Sequence, residues 1–155
     1  MGHKPLSVCV FCGSRTGNNP AFVTQARLFG NLLSQRGHRL VYGAGDRGVM
    51  GETARAVQQA GGHVTGVIPQ HLVDAEIGKD DVNDDIVTTN MHERKMLMFE
   101  RSDAVVTLPG GPGTLDELIE VLTWRQLGLH RKPVILMNVE GYWDPLLNLL
   151  QSTVS

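Results

Sequence analysis

The sequence predicts an α/β fold, a doubly wound parallel sheet with helices on both faces. Short apolar runs alternate with helix-period segments along the chain, the arrangement that yields a parallel sheet. The runs are continuous, as in strands covered on both faces. Glycines gather where runs end: Gly13, then Gly43, Gly45, Gly48 and Gly51, then Gly110, Gly111 and Gly113.

Taken in order, Ser7–Cys12 (SVCVFC) is the first strand, closed by Gly13-Ser14. Pro20 opens a helix, where its missing N–H is no loss. Phe22, Ala26, Phe29 and Leu33 form that helix's apolar stripe, and Gly37 ends it. Leu40–Tyr42 is the second strand, followed by a glycine-rich turn and a helix over Val49–Ala60 that Gly61-Gly62 stops. His63–Ile68 is the third strand, cut off by Pro69. From Gln70 to Thr89 the pattern weakens. KDDVNDD (Lys79–Asp85) reads as a surface loop and Ile86–Thr88 as a candidate short strand. Asn90 caps a helix from Met91 to Arg101, with Glu93 placed as in a capping box. Ala104–Leu108 is the fourth strand, Thr114 starts a helix to about Leu127, Pro133–Met137 is the fifth strand, and Asp144–Gln151 is the last helix. The expected strand order is 3-2-1-4-5. Connections leaving strands 1 and 4 then diverge to opposite faces and open a crevice where ligands of such sheets bind. Cys12–Asn18 and Pro109–Thr114 are its expected walls.

The 155 residues suit one domain, and 41% hydrophobic against 19% charged residues argue for a packed globule rather than disorder. With 14 Lys and Arg against 16 Asp and Glu, the net charge of −2 offers no basic stripe for nucleic acid. No apolar run approaches the roughly 20 residues of a membrane span, and no apolar signal segment opens the sequence. The expectation is a cytoplasmic protein with neither membrane nor nucleic acid as partner. Its 18 glycines exceed the roughly 11 that average usage of about 7% gives, without any Gly-X-Y period or Gly/Ser tract. Cys9 and Cys12 form a C-x-x-C, but inside a strand a separation of three puts them on opposite faces. With no second cysteine pair for a metal, they read as buried reduced thiols, and no metal is expected.

YGAGDRGVMG (Tyr42–Gly51) holds G-x-G-x-x-G between a strand and a helix. The acid that should follow for a dinucleotide ribose is missing, since the next strand ends Val67-Ile68-Pro69. A tight packing or phosphate-facing turn is the better reading than NAD. LPGGPGTLDE (Leu108–Glu117) places three glycines ahead of a helix, where successive N–H groups and the helix terminus favour an anion. Thr114 and Glu117 also fit a plain T-x-x-E capping box, which leaves the three glycines unexplained. MHERK (Met91–Lys95) puts Arg94 and Lys95 in the first turns of a helix, against its dipole. Their partner is either an acidic side chain, Glu93 or one from Asp80–Asp85, or a ligand phosphate. His92 is the histidine beside this candidate site, in a supporting role.

VFCGS (Val10–Ser14), YGAGDRGVMG, MHERK and PGGPGTLDE together resemble the LOG family, the cytokinin-activating phosphoribohydrolases once labelled possible lysine decarboxylases. The resemblance runs from about Ser7 to Leu150. The decarboxylase label finds no support, because nothing marks a lysine that would carry pyridoxal phosphate. The resemblance implies one Rossmann-like nucleotide-binding hydrolase domain over residues 1–155, acting as a homodimer without a cofactor. It implies hydrolysis of the N-glycosidic bond of adenosine 5′-monophosphate, plain or N6-modified, to free base and ribose 5-phosphate. Arg94 and Glu117 would be the catalytic pair. Gly110, Gly111, Gly113 and Thr114 would cradle the 5′-phosphate, with Lys95, Ser14, Glu76 and Thr123 as further substrate-binding residues. Such a pair suits the chemistry, since a carboxylate stabilises an oxocarbenium-like transition state, and a nearby cation favours the carboxylate form. Several residues depart from the family pattern, among them Ala44, Asp46 and Arg47, which replace the more usual glycine-rich and neutral residues of the second-strand turn. Pro112 removes an N–H donor inside the glycine loop, and Arg125 bears on base preference if it faces the pocket. A non-catalytic nucleotide or molybdenum-cofactor carrier is the alternative from another class.

Overall fold

A computed structural model describes residues 4–75 and 77–153. Six parallel strands make one sheet: β1 (Ser7–Phe11), β2 (Arg39–Tyr42), β3 (Val64–Pro69), β4 (Asp84–Thr88), β5 (Ala104–Thr107) and β6 (Val134–Leu136). Their order is β4-β3-β2-β1-β5-β6. The five expected strands hold the expected order, and the candidate strand near Ile86 joins them as an edge beside β3, in register from Thr65↔Asp84 to Pro69↔Thr88. The charged stretch expected as a loop thus lends Asp84 and Asp85 to a strand. Its Lys79 is buried, with the ammonium 2.7 Å from Asp81.

Helices cover both faces. On one face, α1 (Pro20–Gln35) and α2 (Gly48–Gln59) bury Ala26, Leu33, Val49, Ala54 and Val57 against Val8, Val10, Leu40, Tyr42 and Val64. On the other face, α4 (Met91–Glu100) and α5 (Pro112–Gln126) bury Met98, Phe99 and Val121 against Cys9, Phe11, Val41, Val67 and Val105. Alternate residues of β1 feed the two cores, so every position of a strand such as VCVF must be apolar. Fully burying one such side chain contributes about 1.5–3 kcal/mol. Cys9 and Cys12 are free and buried, and they lie in different cores. Burial pushes both thiols well above their usual range.

The remaining elements are a short α3 (Gln70–Asp74), a single 3-10 turn at Val139–Gly141, and α6 (Asp144–Ser152). Among the described residues no helix is long and apolar enough to cross a membrane. The helix expected from Thr114 begins two residues earlier, at Pro112, with Gly111 as its N-cap and no side-chain cap. Thr114 therefore sits inside the first turn, and the T-x-x-E capping box does not form. Pro112 occupies the first helical position, where an N–H has no intrahelical partner. The Asn90 cap does form: its side chain accepts from the Glu93 N–H at 2.8 Å. The Glu93 carboxylate accepts from the N–H of Thr89, one residue before the cap.

Candidate active site

The crevice opens where β1 and β5 separate, and it holds a cavity of about 980 Å³. Its walls include Cys12–Arg15 from the end of β1, Gly43–Gly45 from the end of β2, and Pro109–Thr114 from the glycine loop. Arg94, Lys95, Asp116 and Glu117 reach it from α4 and α5. Of the residues expected at a site, Ser14, Arg94, Lys95, Gly110, Gly111, Gly113, Thr114 and Glu117 are brought together here. Glu76 lies outside the described residues. Thr123 does not join them; it lines a shallower groove with Leu115, Ile119 and Trp124, and its hydroxyl donates back to the Ile119 carbonyl at 2.8 Å. His92 is exposed and does not line the crevice. Arg125 faces elsewhere, donating to the Lys132 carbonyl at 3.1 Å.

Arg94 follows the first turn of α4 and is buried, its side chain reaching the residue after β2 and the middle of β3. Its Nε donates to the Val67 carbonyl at 2.9 Å and its Nη2 to the Gly43 carbonyl. Neither Glu93 nor an aspartate from 80–85 pairs with it, which corrects that reading of its charge. Carbonyl dipoles hold the cation in place without neutralising it. The geometry also accounts for the first glycine of G-x-G-x-x-G, since a Cβ at Gly43 would collide with the Arg94 guanidinium.

Glu117 lies beyond the first turn of α5, largely out of water. Burial raises its carboxyl to about 7; Asp116 adds to the rise, while Arg94 and Lys95 oppose it. The expected effect of Arg94 is present, but desolvation outweighs it. Arg94 in turn is lowered by burial, with Glu117 opposing. Lys95 is committed elsewhere: its ammonium lies 3.0 Å from Asp116 and 2.8 Å from Glu120. A carboxyl that titrates near neutrality is suited to exchange a proton with substrate or water.

Within the glycine loop, Gly110 is required by the chain itself, since a Cβ there would collide with Thr114 and with the backbone of Gly13. A Cβ at Gly111 or Gly113 would meet nothing within 4 Å, and the backbone at Gly111 (φ −97°) is open to any residue. Packing and strain therefore do not demand glycine there. Both border the open space at the N-terminus of α5, and a helix N-terminus is a place that favours an anion. The apolar wall of Ile68, Leu72, Ile77 and Met91, and the aromatic rim of Phe22 and Tyr142, were not foreseen. Leu72 and Ile77 come from the stretch after β3 that carries no clear period, and Tyr142 stands in no glycine-rich motif.

Comparison with known proteins bears on what this site does. Residues 50–155 match the family model described as "Possible lysine decarboxylase". The chain is 46% identical over 154 residues to the probable cytokinin riboside 5′-monophosphate phosphoribohydrolase LOG4 of Oryza sativa subsp. japonica, covering 99% of this chain and 67% of that protein. It is 47% identical over 147 residues to the cytokinin riboside 5′-monophosphate phosphoribohydrolase LOG7 of Arabidopsis thaliana, covering 95% and 68%. The chain thus spans about two thirds of the length of these relatives. Among solved structures, the molybdenum cofactor binding protein of Rippkaea orientalis matches with a TM-score of 0.72 at 25% identity, over 99% of this chain and 89% of that one. Matched by the family model across residues 50–155 and by its relatives along nearly its whole length, the chain belongs to the LOG family.

Proposed function

We propose that this chain is a nucleoside 5′-monophosphate phosphoribohydrolase acting on adenosine 5′-monophosphate or its N6-modified, cytokinin-type forms. The observation that carries this is the meeting, in one crevice, of a glycine loop at a helix N-terminus, a buried cation and a half-buried carboxyl raised to about 7. The loop residues Gly110, Gly111, Gly113 and Thr114 take the 5′-phosphate. Ser14 borders the same cavity, and the ribose then lies toward Arg94 and Glu117. As the bond from C1′ to the base nitrogen breaks, its electron pair leaves with the base, and C1′ gains oxocarbenium character that the Glu117 carboxylate stabilises. A water oxygen bonds to C1′, Glu117 takes the proton, and the base takes up a proton from solvent. Base and ribose 5-phosphate are the products, with water the only co-reactant.

The apolar wall of Ile68, Leu72, Ile77 and Met91 gives room for a substituted base, and Arg125 lies clear of it. The same reading includes a homodimer, supported by exposed apolar side chains on and just after α5: Ile119, Leu127 and Leu129. It also includes a cytoplasmic location, supported by the two buried free thiols. The test is to incubate the protein with adenosine 5′-monophosphate and with isopentenyladenosine 5′-monophosphate and separate free base by chromatography. Release of either base is expected. The structural likeness to a molybdenum cofactor binding protein favours a carrier as the second reading. Tight nucleotide binding without base release at any pH would establish that instead.

A further inference from the structure

Tyr142 belongs to none of the glycine-rich or charged motifs, yet it lines the crevice. It follows the 3-10 turn at Val139–Gly141, and its hydroxyl donates to the Gly110 carbonyl. The ring is held edge-on between Phe22, at 5.2 Å, and Trp143, at 4.9 Å. The turn is itself tied down. Asn138 accepts from the Trp143 N–H at 2.7 Å and donates to Asp144 at 2.8 Å. Glu140, in a left-handed conformation (φ 49°), accepts from Asn19, the cap of α1.

A trans peptide carries its C=O and N–H on opposite sides of one rigid plane, and no cis bond occurs among the described residues. Fixing the Gly110 carbonyl therefore also fixes the N–H of Gly111. The preceding peptide is pinned in the same manner, since the Pro109 carbonyl accepts from the Gly13 N–H at 3.2 Å. Gly111 caps α5, and the space beside its Cα is open. Without these two anchors, a loop of three glycines around Pro112 would be free to turn its N–H groups elsewhere.

We propose that Tyr142 is a positioning residue for phosphate recognition: its hydroxyl pins the Gly110 carbonyl, and so aims the Gly111 N–H at the 5′-phosphate of the substrate. This rests on the phosphoribohydrolase reading for the identity of the substrate, but phosphate binding alone can judge it.

The variant is Tyr142→Phe, which removes the hydroxyl and keeps both ring contacts. Affinity for inorganic phosphate and for ribose 5-phosphate is measured by calorimetry, alongside KM and kcat for adenosine 5′-monophosphate, the inhibition constant of adenosine, and the melting temperature. Misaligning one hydrogen bond to an anion corresponds to roughly tenfold in affinity. Phosphate and ribose 5-phosphate binding should weaken about tenfold and KM should rise by the same factor, with kcat changed less than about twofold. Adenosine inhibition and melting temperature should stay at the wild-type values. Tyr142→Leu, which also removes the ring, should show the same phosphate loss.

Unchanged phosphate affinity in Tyr142→Phe overturns the proposal. So does an equal loss for adenosine and for phosphate, which would mark a merely structural role, and so does a wild-type protein that binds neither phosphate nor ribose 5-phosphate. A wild type that binds phosphate but releases no base would defeat the hydrolase reading and leave the Tyr142 comparison to be decided by calorimetry.

Discussion

Arg94 is held by carbonyls, and that arrangement depends on a residue with no side chain. Gly43 both accepts from the guanidinium and leaves it the space it occupies. Gly43→Ala should push Arg94 out of place and lower kcat at least tenfold, a loss of about 1.4 kcal/mol in transition-state stabilisation. Circular dichroism should show the fold retained. Glu117 gives a second expectation at this scale. Its carboxyl is raised from 4.5 to about 7, and the proposed chemistry needs the ionised form. The kcat/KM should therefore rise with pH and level off above about 7, because that ratio reports the free enzyme's groups. A profile that falls over the same interval would assign Glu117 the role of an acid. At this scale the sequence disclosed the identity of both residues but not their surroundings. The charge of Arg94 against the helix dipole called for a partner, and an acid or a phosphate were the options in view. Two backbone carbonyls carry no sequence signature, so that partner was invisible until the strands were in place.

Between elements, α4 and α5 bring the two residues together, and different forces tie the helices at their two ends. Far from the crevice, Phe99 and Trp124 meet edge-on at 5.3 Å. Near the crevice, Lys95 bridges to Asp116 and Glu120 on either side of Glu117 in sequence. Asp116 is one of the influences raising the Glu117 carboxyl, so Asp116→Asn should move the rising limb of the kcat/KM profile to lower pH. Asp116 is largely exposed, and pairs of that kind contribute about 0–1 kcal/mol, so the melting temperature should change little. A limb that stays in place would mean that Asp116 does not act on Glu117. Main strands and helices were legible in the sequence because apolar runs and glycine stops mark them clearly. Strand β4 was only a candidate, since an exposed edge opening on Asp84 and Asp85 needs no continuous apolar run. The start of α5 lies two residues before the one the sequence points to, because Thr114 looks like a cap, whereas Gly111 caps through its backbone alone.

Across the molecule, one topological event makes the site. β1 and β5 are neighbours whose following helices leave to opposite faces, and the gap between them gathers residues separated by about a hundred positions in sequence. The alternation of elements was enough to expect this crevice and both its walls. It gave no hint that the 3-10 turn near residue 140 would lean over the glycine loop. If the proposed homodimer forms, light scattering should give twice the chain's 16.9 kDa at micromolar concentration. A mass equal to one chain would remove the dimer. What matters most is whether the Glu117 carboxyl performs the chemistry. Free base released from adenosine 5′-monophosphate should be measured for wild type and Glu117→Gln, with nucleotide affinity measured on the same samples. The variant should bind the nucleotide within about threefold of wild type and release base at least 100-fold more slowly, a difference of about 2.7 kcal/mol. Nearly full activity in Glu117→Gln would contradict a catalytic role and leave Glu117 a structural member of α5.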